Sequence, residues 1–168
     1  MFSDITVQKE QQAQLERIAH FDALTSLPNR VLLADRMHLA MAQTLRRDQT
    51  LAVVFLDLDG FKAINDNHGH ETGDQLLVNL AQRMRHALRD SDTLARIGGD
   101  EFVAVLTDLN DSSACQPLLN RLLDAAAQIV RVGELALQVS ASLGVTFFPQ
   151  SEDIDADTLL RQADQAMY

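Results

Sequence analysis

A short apolar segment that ends in carboxylates constrains the fold of this chain more than any other feature. Residues 51–58 read LAVVFLDL, and Asp59 follows directly. The segment is rich in branched and aromatic side chains and is bounded by charge, which predicts a central strand buried on both faces. An ionised carboxylate left unpaired at the end of a buried strand is unfavourable, so we expect a compensating cation near Asp57.

Hydrophobic periodicity predicts helices on both sides of this strand. The clearest is a helix over 74–88, whose apolar side chains share one face and which follows a polar loop. Further helices are expected over 3–20, from about 30 to 46, over 112–131 and from 155 to 168, with a second hairpin or a bent strand pair over 135–148. This order predicts an α/β fold in which one sheet carries helices packed on it.

Two adjacent glycines mark a turn in the second half of the chain. Gly98 and Gly99 separate strand candidates over 93–97 and 101–106. A glycine pair between strands predicts a two-residue hairpin, because such turns need positive φ at their centre. Asp100 follows the pair directly, so we expect carboxylates at this strand end as well.

The helix expected over 3–20 is rich in Gln and charge. Its sizeable apolar residues are Ile5, Val7, Leu15 and Ile18. A stripe this thin cannot bury itself against a core, so the segment is either a solvated lead-in or one strand of a short coiled coil with a second copy. A frayed linker fits the periodicity equally well.

Composition excludes several classes of function. The chain carries 14 Lys plus Arg against 24 Asp plus Glu, a net charge of -10 that argues against binding nucleic acid. Its single cysteine, Cys115, excludes an internal disulfide and a cysteine-based zinc cage, which fits a cytoplasmic location. We expect no membrane contact by this segment, because no apolar run approaches the ~20 residues of a membrane helix; any anchor of a longer protein would lie elsewhere.

Asp57 and Asp100 are the strongest candidates for a metal site. Mg²⁺ typically binds through one or two protein carboxylates while the phosphates of a nucleotide supply further oxygens. A glycine hairpin that brings the backbone close to a ligand and is followed by acids favours this functional interpretation. For Asp59, next to Gly60, we prefer a structural role at the strand end.

Several motifs together resemble one protein family. RIGGDEF over 96–102 resembles the signature of the GGDEF family, the diguanylate cyclases. DALT at 22–25 with LPNR at 27–30 resembles the opening motif of that family. DLDGFKAINDNHGHETGD over 57–74 resembles its metal- and guanine-binding segment, and ADQAMY over 163–168 resembles its closing helix.

The resemblance also implies a domain organisation. It covers about 20–168, which implies a GGDEF catalytic domain over 21–168 and a linker helix over 1–20 that leads from an upstream sensor domain. The closing helix of the family continues to a phosphate-contacting lysine, whereas this sequence ends at Tyr168, so we expect a truncated C-terminal helix. Ser26 replaces the glycine most often found in the opening motif.

The activity implied by the resemblance is condensation of two GTP molecules into cyclic di-GMP with release of two pyrophosphates. The implied fold is a mostly antiparallel sheet similar to that of nucleotidyl cyclases and polymerase palm domains. Asp57 and Asp100 would bind Mg²⁺, or Mn²⁺, with the backbone carbonyl of Leu58 as a further ligand. Because the product is two-fold symmetric and each domain would hold one GTP, a homodimer of GGDEF domains is expected for catalysis.

Three residues match catalytic positions of the family. Asp100 matches the position that helps to deprotonate the attacking 3′-hydroxyl, and Glu101 is its partner; alternatively, Glu101 is a hairpin residue paired with an arginine. Lys62 matches a phosphate-contacting lysine that stabilises developing charge. Without the motif, Lys62 would be interpreted as a solvated loop lysine.

Other positions match the substrate contacts of the family. Asn65 and Asp74 match the residues that read guanine, whose N1–H and 2-amino group form a donor pair that adenine lacks. Asp74 is alternatively a helix N-cap, and both roles are compatible. His70 matches a substrate-contacting histidine, and the Gly98–Gly99 turn would let phosphates approach the backbone.

Arg89 and Asp92 have the spacing of the inhibitory product site of the family. Arg89 would hold a phosphate or guanine of cyclic di-GMP, and Asp92 would read guanine. The alternative is structural, because Arg at a helix end and Asp in the following loop are common. The alternative function for the whole chain is a catalytically silent module that binds GTP or cyclic di-GMP and regulates a larger signalling protein.

Overall fold

The computed structural model describes residues 2–167, with side chains from residue 4 onward. The helices in this range are α1 (Phe2–His20), α2 (Arg30–Arg47), α3 (Phe61–His68), α4 (His70–Ala87), a short 3₁₀-helix (Ser112–Cys115), α5 (Gln116–Ala127) and α6 (Ala156–Ala166). The strands are β1 (Thr50–Asp59), β2 (Thr93–Gly98), β3 (Glu101–Leu109), β4 (Val130–Val132), β5 (Leu135–Leu137) and β6 (Ser140–Phe148).

β1 lies at the centre of the sheet, as its sequence predicts. It pairs antiparallel with β3 on one side and with β6 on the other, in a four-stranded sheet of order β2-β3-β1-β6. Its side chains from Leu51 to Leu56 are all buried. These features confirm the predicted α/β fold, in which helices flank a central antiparallel sheet.

Successive side chains of β1 enter two separate cores. The even positions from Ala52 to Leu58 pack in a core with α4 and α5. The odd positions from Leu51 to Phe55 pack in a second core with α2 and α6. Because strand side chains alternate between faces, Asp57 and Asp59 continue the odd series and lie at the open end of the second core.

The prediction of a polar loop before residue 74 is wrong. Residues 61–68 form α3, and α4 begins at His70. Gly60 and Gly69 flank α3, both at positive φ (85° and 90°), a conformation that glycine adopts without steric cost. The two glycines and the polar residues between them resemble a loop in sequence, although Phe61 and Ile64 anchor one helical turn in the core.

Two boundaries in the second half also differ from the prediction. The helix expected over 112–131 is a 3₁₀ turn followed by α5, which ends at Ala127. Residues 130–132 form β4, which pairs with β5 in a small separate hairpin. The region 135–148 is therefore no hairpin of its own, because β6 pairs instead with β1 across the main sheet.

The remaining helices follow the prediction closely. Asn29 caps α2 by accepting hydrogen bonds from the backbone N–H of Val31 and of Leu32. Asp155 caps α6 in the same way, and α6 runs to Ala166. Tyr168, the expected end of the closing helix, lies outside the described residues.

α1 is helical and largely exposed. The side chains of Leu15 and Ile18 are each 66% exposed. The helix is therefore the one expected from sequence, and the frayed-linker alternative is wrong for residues 2–20. Within the described residues, no helix combines the length and apolar character that crossing a membrane would require.

Candidate active site

The acids at the end of β1 and those after the glycine turn lie side by side. Asp57 is the register partner of Glu101 across the β1–β3 ladder. One step further, the backbone N–H of Leu58 donates a hydrogen bond to the carbonyl oxygen of Asp100, at 3.2 Å. The structure thus brings the backbone of Asp57 and Leu58 together with that of Asp100, which lies more than forty positions later in the sequence.

The glycine turn is shifted by one residue from its predicted position. Gly98 pairs with Glu101, so the two turn residues are Gly99 and Asp100 rather than the two glycines. Gly99 has φ of 51°, the positive value required at this position of the turn. Space is open where a Cβ would lie on either glycine. Asp100 therefore lies at the tip of the hairpin, next to the backbone of Gly98 and Gly99, which a ligand can approach closely.

Asp59 has the structural role that we preferred from sequence. Its carboxylate accepts hydrogen bonds from the hydroxyl of Ser140, at 3.2 Å, and from the hydroxyl of Ser142, at 3.0 and 2.8 Å. Both serines lie on β6, where Ser142 is the register partner of Asp57. These hydrogen bonds to Asp59 connect the start of β6 with the end of β1.

A cation at Asp57 and Asp100 would receive only part of its coordination from side chains. Oδ1 of Asp57 is buried. Among the described residues, no three His, Cys, Asp or Glu side chains converge closely enough to hold a metal ion by themselves. A cation at this pair would therefore need backbone and ligand oxygens in addition, which is the coordination that Mg²⁺ adopts with nucleotides.

The predicted substrate-contacting side chains lie on α3, which follows the end of β1, and on α4. Lys62 is exposed on the first turn of α3, and His70 is exposed at the first residue of α4. Asp74 is exposed one turn further along α4. The N-cap of this helix is Gly69, so the interpretation of Asp74 as an N-cap is wrong.

Asn65 is half-buried where α3 meets α4. A Cβ built on Gly73 would overlap Oδ1 of Asn65 and would lie 2.9 Å from its Cγ. Asn65 is therefore packed against the residue that precedes Asp74, and the two predicted guanine readers share one corner of the site.

Glu101 is exposed and takes part in none of the ion pairs within the described residues. The alternative that Glu101 pairs with an arginine is therefore wrong. The arginine of this hairpin, Arg96, pairs instead with Asp22, with Nη1 at 3.1 Å from both carboxylate oxygens. Sequence reasoning missed this pair as part of the site.

Hydrogen bonds also control the charge of Asp22. Burial alone would raise the pKa of this carboxyl, but hydrogen bonds from Thr25 and Arg96 outweigh burial and lower the pKa below its ordinary value. Asp22 is therefore a stably ionised partner for Arg96 at neutral pH. Both residues lie in motifs of the sequence, Asp22 in DALT and Arg96 in RIGGDEF. No local pattern, however, indicates that the two residues pair with each other.

Arg89 and Asp92 form a two-pronged ion pair with each other. Arg89 donates from Nε to Oδ2 of Asp92, at 3.0 Å, and from Nη2 to Oδ1, at 2.8 Å. Asp92 is fully buried and also accepts from the backbone N–H of Arg89 and of Thr107, whereas the Arg89 side chain is 39% exposed. These bonds to Asp92 raise the pKa of Arg89. Asp92 thus holds the guanidinium in place, which is the structural role that we weighed as the alternative.

A separate cleft of about 1150 Å³ lies between α1 and the segment that follows it. Its lining includes Arg17, Phe21 and Asn29, and it excludes Asp57 and Asp100. Asp57 and Asp100 are partly exposed at the end of the sheet, and the cleft is not part of the candidate site.

Comparison with known proteins identifies relatives of this architecture. Residues 19–168 match the family described as diguanylate cyclase, GGDEF domain. Over 155 residues the chain is 41% identical to the bifunctional diguanylate cyclase/cyclic di-GMP phosphodiesterase MucR of Pseudomonas aeruginosa, covering 92% of this chain and 22% of MucR. It is 38% identical over 161 residues to the diguanylate cyclase TpbB of the same species, covering 95% of this chain and 37% of TpbB. The chain therefore spans well under half the length of these relatives.

Solved structures agree with this match. The GGDEF domain of TpbB superimposes with a TM-score of 0.83 at 37% identity, covering 89% of this chain and 87% of that one. The GGDEF domain of DgcB from Caulobacter crescentus, solved in complex with c-di-GMP, superimposes with a TM-score of 0.79 at 27% identity, covering 89% of this chain and 86% of that one.

Proposed function

Because the chain belongs to the GGDEF family, we propose that it is a diguanylate cyclase that condenses two GTP molecules into cyclic di-GMP and two pyrophosphates. The observation that carries this proposal is the hydrogen bond between the N–H of Leu58 and the carbonyl of Asp100, which brings together the backbones of two distant segments that carry carboxylates. Carboxylates gathered beside an open glycine turn suit a reaction on a metal-bound triphosphate.

Asp57 and Asp100 would hold Mg²⁺, or Mn²⁺ in its place. In an antiparallel ladder, the amide and carbonyl of one residue face the same neighbouring strand. The carbonyl of Leu58 therefore faces the Asp100 side, as its N–H does, and is available as a third oxygen ligand. The bound cation would neutralise charge on the triphosphate during attack on the α-phosphorus.

The remaining catalytic roles follow from where the side chains lie. Asp100 at the tip of the hairpin would accept the proton of the attacking 3′-hydroxyl, and the exposed Glu101 beside Asp57 would assist it. Lys62 is exposed on the first turn of α3, where its ammonium can reach a phosphate and stabilise developing charge. The open backbone at Gly98 and Gly99 leaves room for the triphosphate.

Guanine would bind at the corner between α3 and α4. Asp74 is exposed and would accept hydrogen bonds from N1–H and the 2-amino group, while Asn65 would contact the same base. An adenine at this position would leave the carboxylate without its donors, which disfavours ATP. His70, exposed at the start of α4, would contact the substrate from the same end.

Turnover requires two domains. The product has two-fold symmetry, and each domain would contribute one GTP and one set of Asp57, Asp100 and Lys62. Two copies must therefore face each other during the reaction. The exposed α1 is a suitable element for holding them together.

Product feedback would act through Arg89. Its guanidinium is partly exposed and is oriented by the buried Asp92. A forked guanidinium in a fixed orientation suits the phosphate or guanine of cyclic di-GMP. In this proposal Arg89 contacts the product, and Asp92 contributes by holding Arg89, because its buried carboxylate already accepts hydrogen bonds at both oxygens and is not free to read guanine.

The alternative function is that of a silent binding module. The chain covers only 22% of MucR, whose name joins a cyclase with a phosphodiesterase. In a protein of that kind, a domain that binds GTP or cyclic di-GMP without turnover would regulate the attached enzyme.

Turnover of GTP distinguishes the two functions. The protein is incubated with GTP and Mg²⁺ over a range of protein concentrations, and cyclic di-GMP is quantified by chromatography. We expect product formation to rise more steeply than in proportion to concentration, and to fall about 100-fold in Asp100→Asn. Asp153→Asn removes an exposed carboxylate outside the site and should match the unsubstituted protein. Binding of GTP with no product would reject turnover and support the regulatory module.

A further inference from the structure

The contact between α3 and α4 depends on the absence of a side chain at Gly73. This glycine is buried in the first turns of α4. A Cβ at this position would overlap Oδ1 of Asn65 and would lie 2.9 Å from Cγ of Asn65 and 3.3 Å from Cζ of Phe61. Real side chains do not adopt such contacts, so any larger residue at 73 must displace Asn65. The helical φ of Gly73 is ordinary, so its small size is the property that matters here.

The amide of Asn65 has a defined orientation in this contact. Its Oδ1 is buried and has no hydrogen-bond partner among the described residues. A buried, unpartnered amide oxygen is unusual in a folded protein and calls for a reason. Since the amide group is planar and its oxygen faces Gly73, its nitrogen is directed away from α4. The side chain therefore offers a hydrogen-bond donor, and not an acceptor, to a ligand at this corner.

We propose that Gly73 is a specificity-positioning residue for the base that binds beside Asp74. The inference rests on the proposed function and extends it. Asp74 supplies an acceptor for the N1–H and 2-amino donors of guanine. The Asn65 amide, held by Gly73 with its nitrogen outward, supplies a donor for the adjacent O6 of the same base, a position at which adenine carries an amino donor instead. The resulting order of donor and acceptor groups fits guanine and does not fit adenine.

Substitution of Gly73 tests whether it acts through Asn65. In Gly73→Ala the new methyl group would push the Asn65 amide out of place and remove one hydrogen bond to the base. We expect the Kd for GTP to rise about tenfold. The Kd for ATP should change little, because adenine has an amino group where guanine has O6 and so makes no hydrogen bond with the Asn65 donor there. The GTP-to-ATP ratio of affinities, which is the Kd for ATP divided by the Kd for GTP, therefore falls. Once GTP is bound, its rate of turnover should change less than the affinity of the protein for GTP does.

A double substitution separates this role from a structural one. Asn65→Ala removes both the donor and the overlapping atoms, so Asn65→Ala/Gly73→Ala should fold even if Gly73→Ala alone does not. If Gly73 acts through Asn65, the double variant has the same GTP-to-ATP ratio as Asn65→Ala alone. Gly144→Ala is a matched control, because its methyl group would also collide, in this case with backbone atoms of Ala163 on α6 and of Met167, which directly follows α6. It should lower thermal stability and leave the GTP-to-ATP ratio unchanged.

Binding of GTP and ATP to each folded variant is measured by calorimetry in Mg²⁺, and folding is checked by thermal unfolding. A wild-type ratio in folded Gly73→Ala would overturn the inference. A ratio in the double variant well below that of Asn65→Ala would also overturn it, because Gly73 would then act by another route. If the unsubstituted protein shows no preference for GTP, the proposed function fails at the outset and the inference fails with it. A preference for GTP that survives Gly73→Ala defeats the inference alone.

Discussion

Arg96 joins Asp22, near the end of α1, to the turn that carries Asp100. Its Nη1 lies 3.1 Å from both carboxylate oxygens of Asp22, and its Nε donates to the carbonyl oxygen of Gly99 at 3.0 Å. The two paired side chains are only 14% and 19% exposed. One guanidinium therefore connects the segment after α1 to the β2–β3 hairpin that carries Asp100.

The first prediction concerns this connection. Arg96→Ala should lower the free energy of unfolding by about 1–3 kcal/mol, because it leaves the Asp22 carboxylate without a charged partner. It should also reduce cyclic di-GMP synthesis, because the carbonyl of Gly99 loses a donor beside Asp100. Chemical denaturation and turnover are the measurements. Arg131→Ala, at an exposed position on β4, is the matched control and should change neither.

Coupling between the two partners gives a sharper form of this test. Asp22→Asn keeps the hydrogen-bonding shape and removes the charge. If the pair is the source of the stability, Asp22→Asn/Arg96→Ala should cost less than the sum of the two single substitutions. Full additivity would show that the two residues contribute independently.

The second prediction concerns pH. The folded protein lowers the pKa of Asp22 below the ordinary value of 3.8, so the unfolded chain binds this proton more readily than the folded one. The stabilisation is therefore present above pH 3.8 and is lost as the pH falls through the lower folded pKa. The free energy of unfolding of the unsubstituted protein should approach that of Asp22→Asn as the pH is lowered from 6 towards 3. A constant difference across this range would contradict the role of the ionised carboxylate.

The sequence predicted those parts of the site that depend on local patterns. The short apolar run of β1, which ends in charge, places Asp57 at a strand end, and the glycine pair places Asp100 beside a turn. In the structure, the antiparallel pairing of β1 with β3 places these two parts of the site next to each other. The exact turn residues were missed because the register shifts between Arg96 and Gly98, a local irregularity that the glycine pattern does not reveal.

Contacts between distant segments could not be predicted in the same way. Arg96 and Asp22 are 74 positions apart, and no periodicity relates them. α3 was missed for a related reason, since its stability depends on packing against α4 at Gly73 rather than on its own short sequence. β4 was placed in a helix because Val130 continues an apolar pattern that the chain in fact uses in a hairpin.

The third prediction concerns the product site. Arg89→Ala would leave the fully buried Asp92 without its cation, so it should destabilise the fold as well as weaken cyclic di-GMP binding. Arg89→Lys keeps the charge and loses the forked geometry. We expect Arg89→Lys to stay folded and to bind cyclic di-GMP at least about tenfold more weakly by calorimetry. Wild-type affinity in folded Arg89→Lys would reject Arg89 as the product contact.

The last prediction compares Asp57 with Asp59, two carboxylates on the same face of β1. Asp57 would bind the metal ion, whereas Asp59 is occupied by the hydroxyls of Ser140 and Ser142. GTP with Mg²⁺ should raise the thermal midpoint of the unsubstituted protein, since ligand binding at 100 times Kd contributes about 2.7 kcal/mol. Asp57→Asn should abolish this Mg²⁺-dependent shift. Asp59→Asn should lower the midpoint of the free protein and keep the shift. Equal loss of the shift in both variants would show that the whole strand end, and not Asp57 in particular, binds the cation.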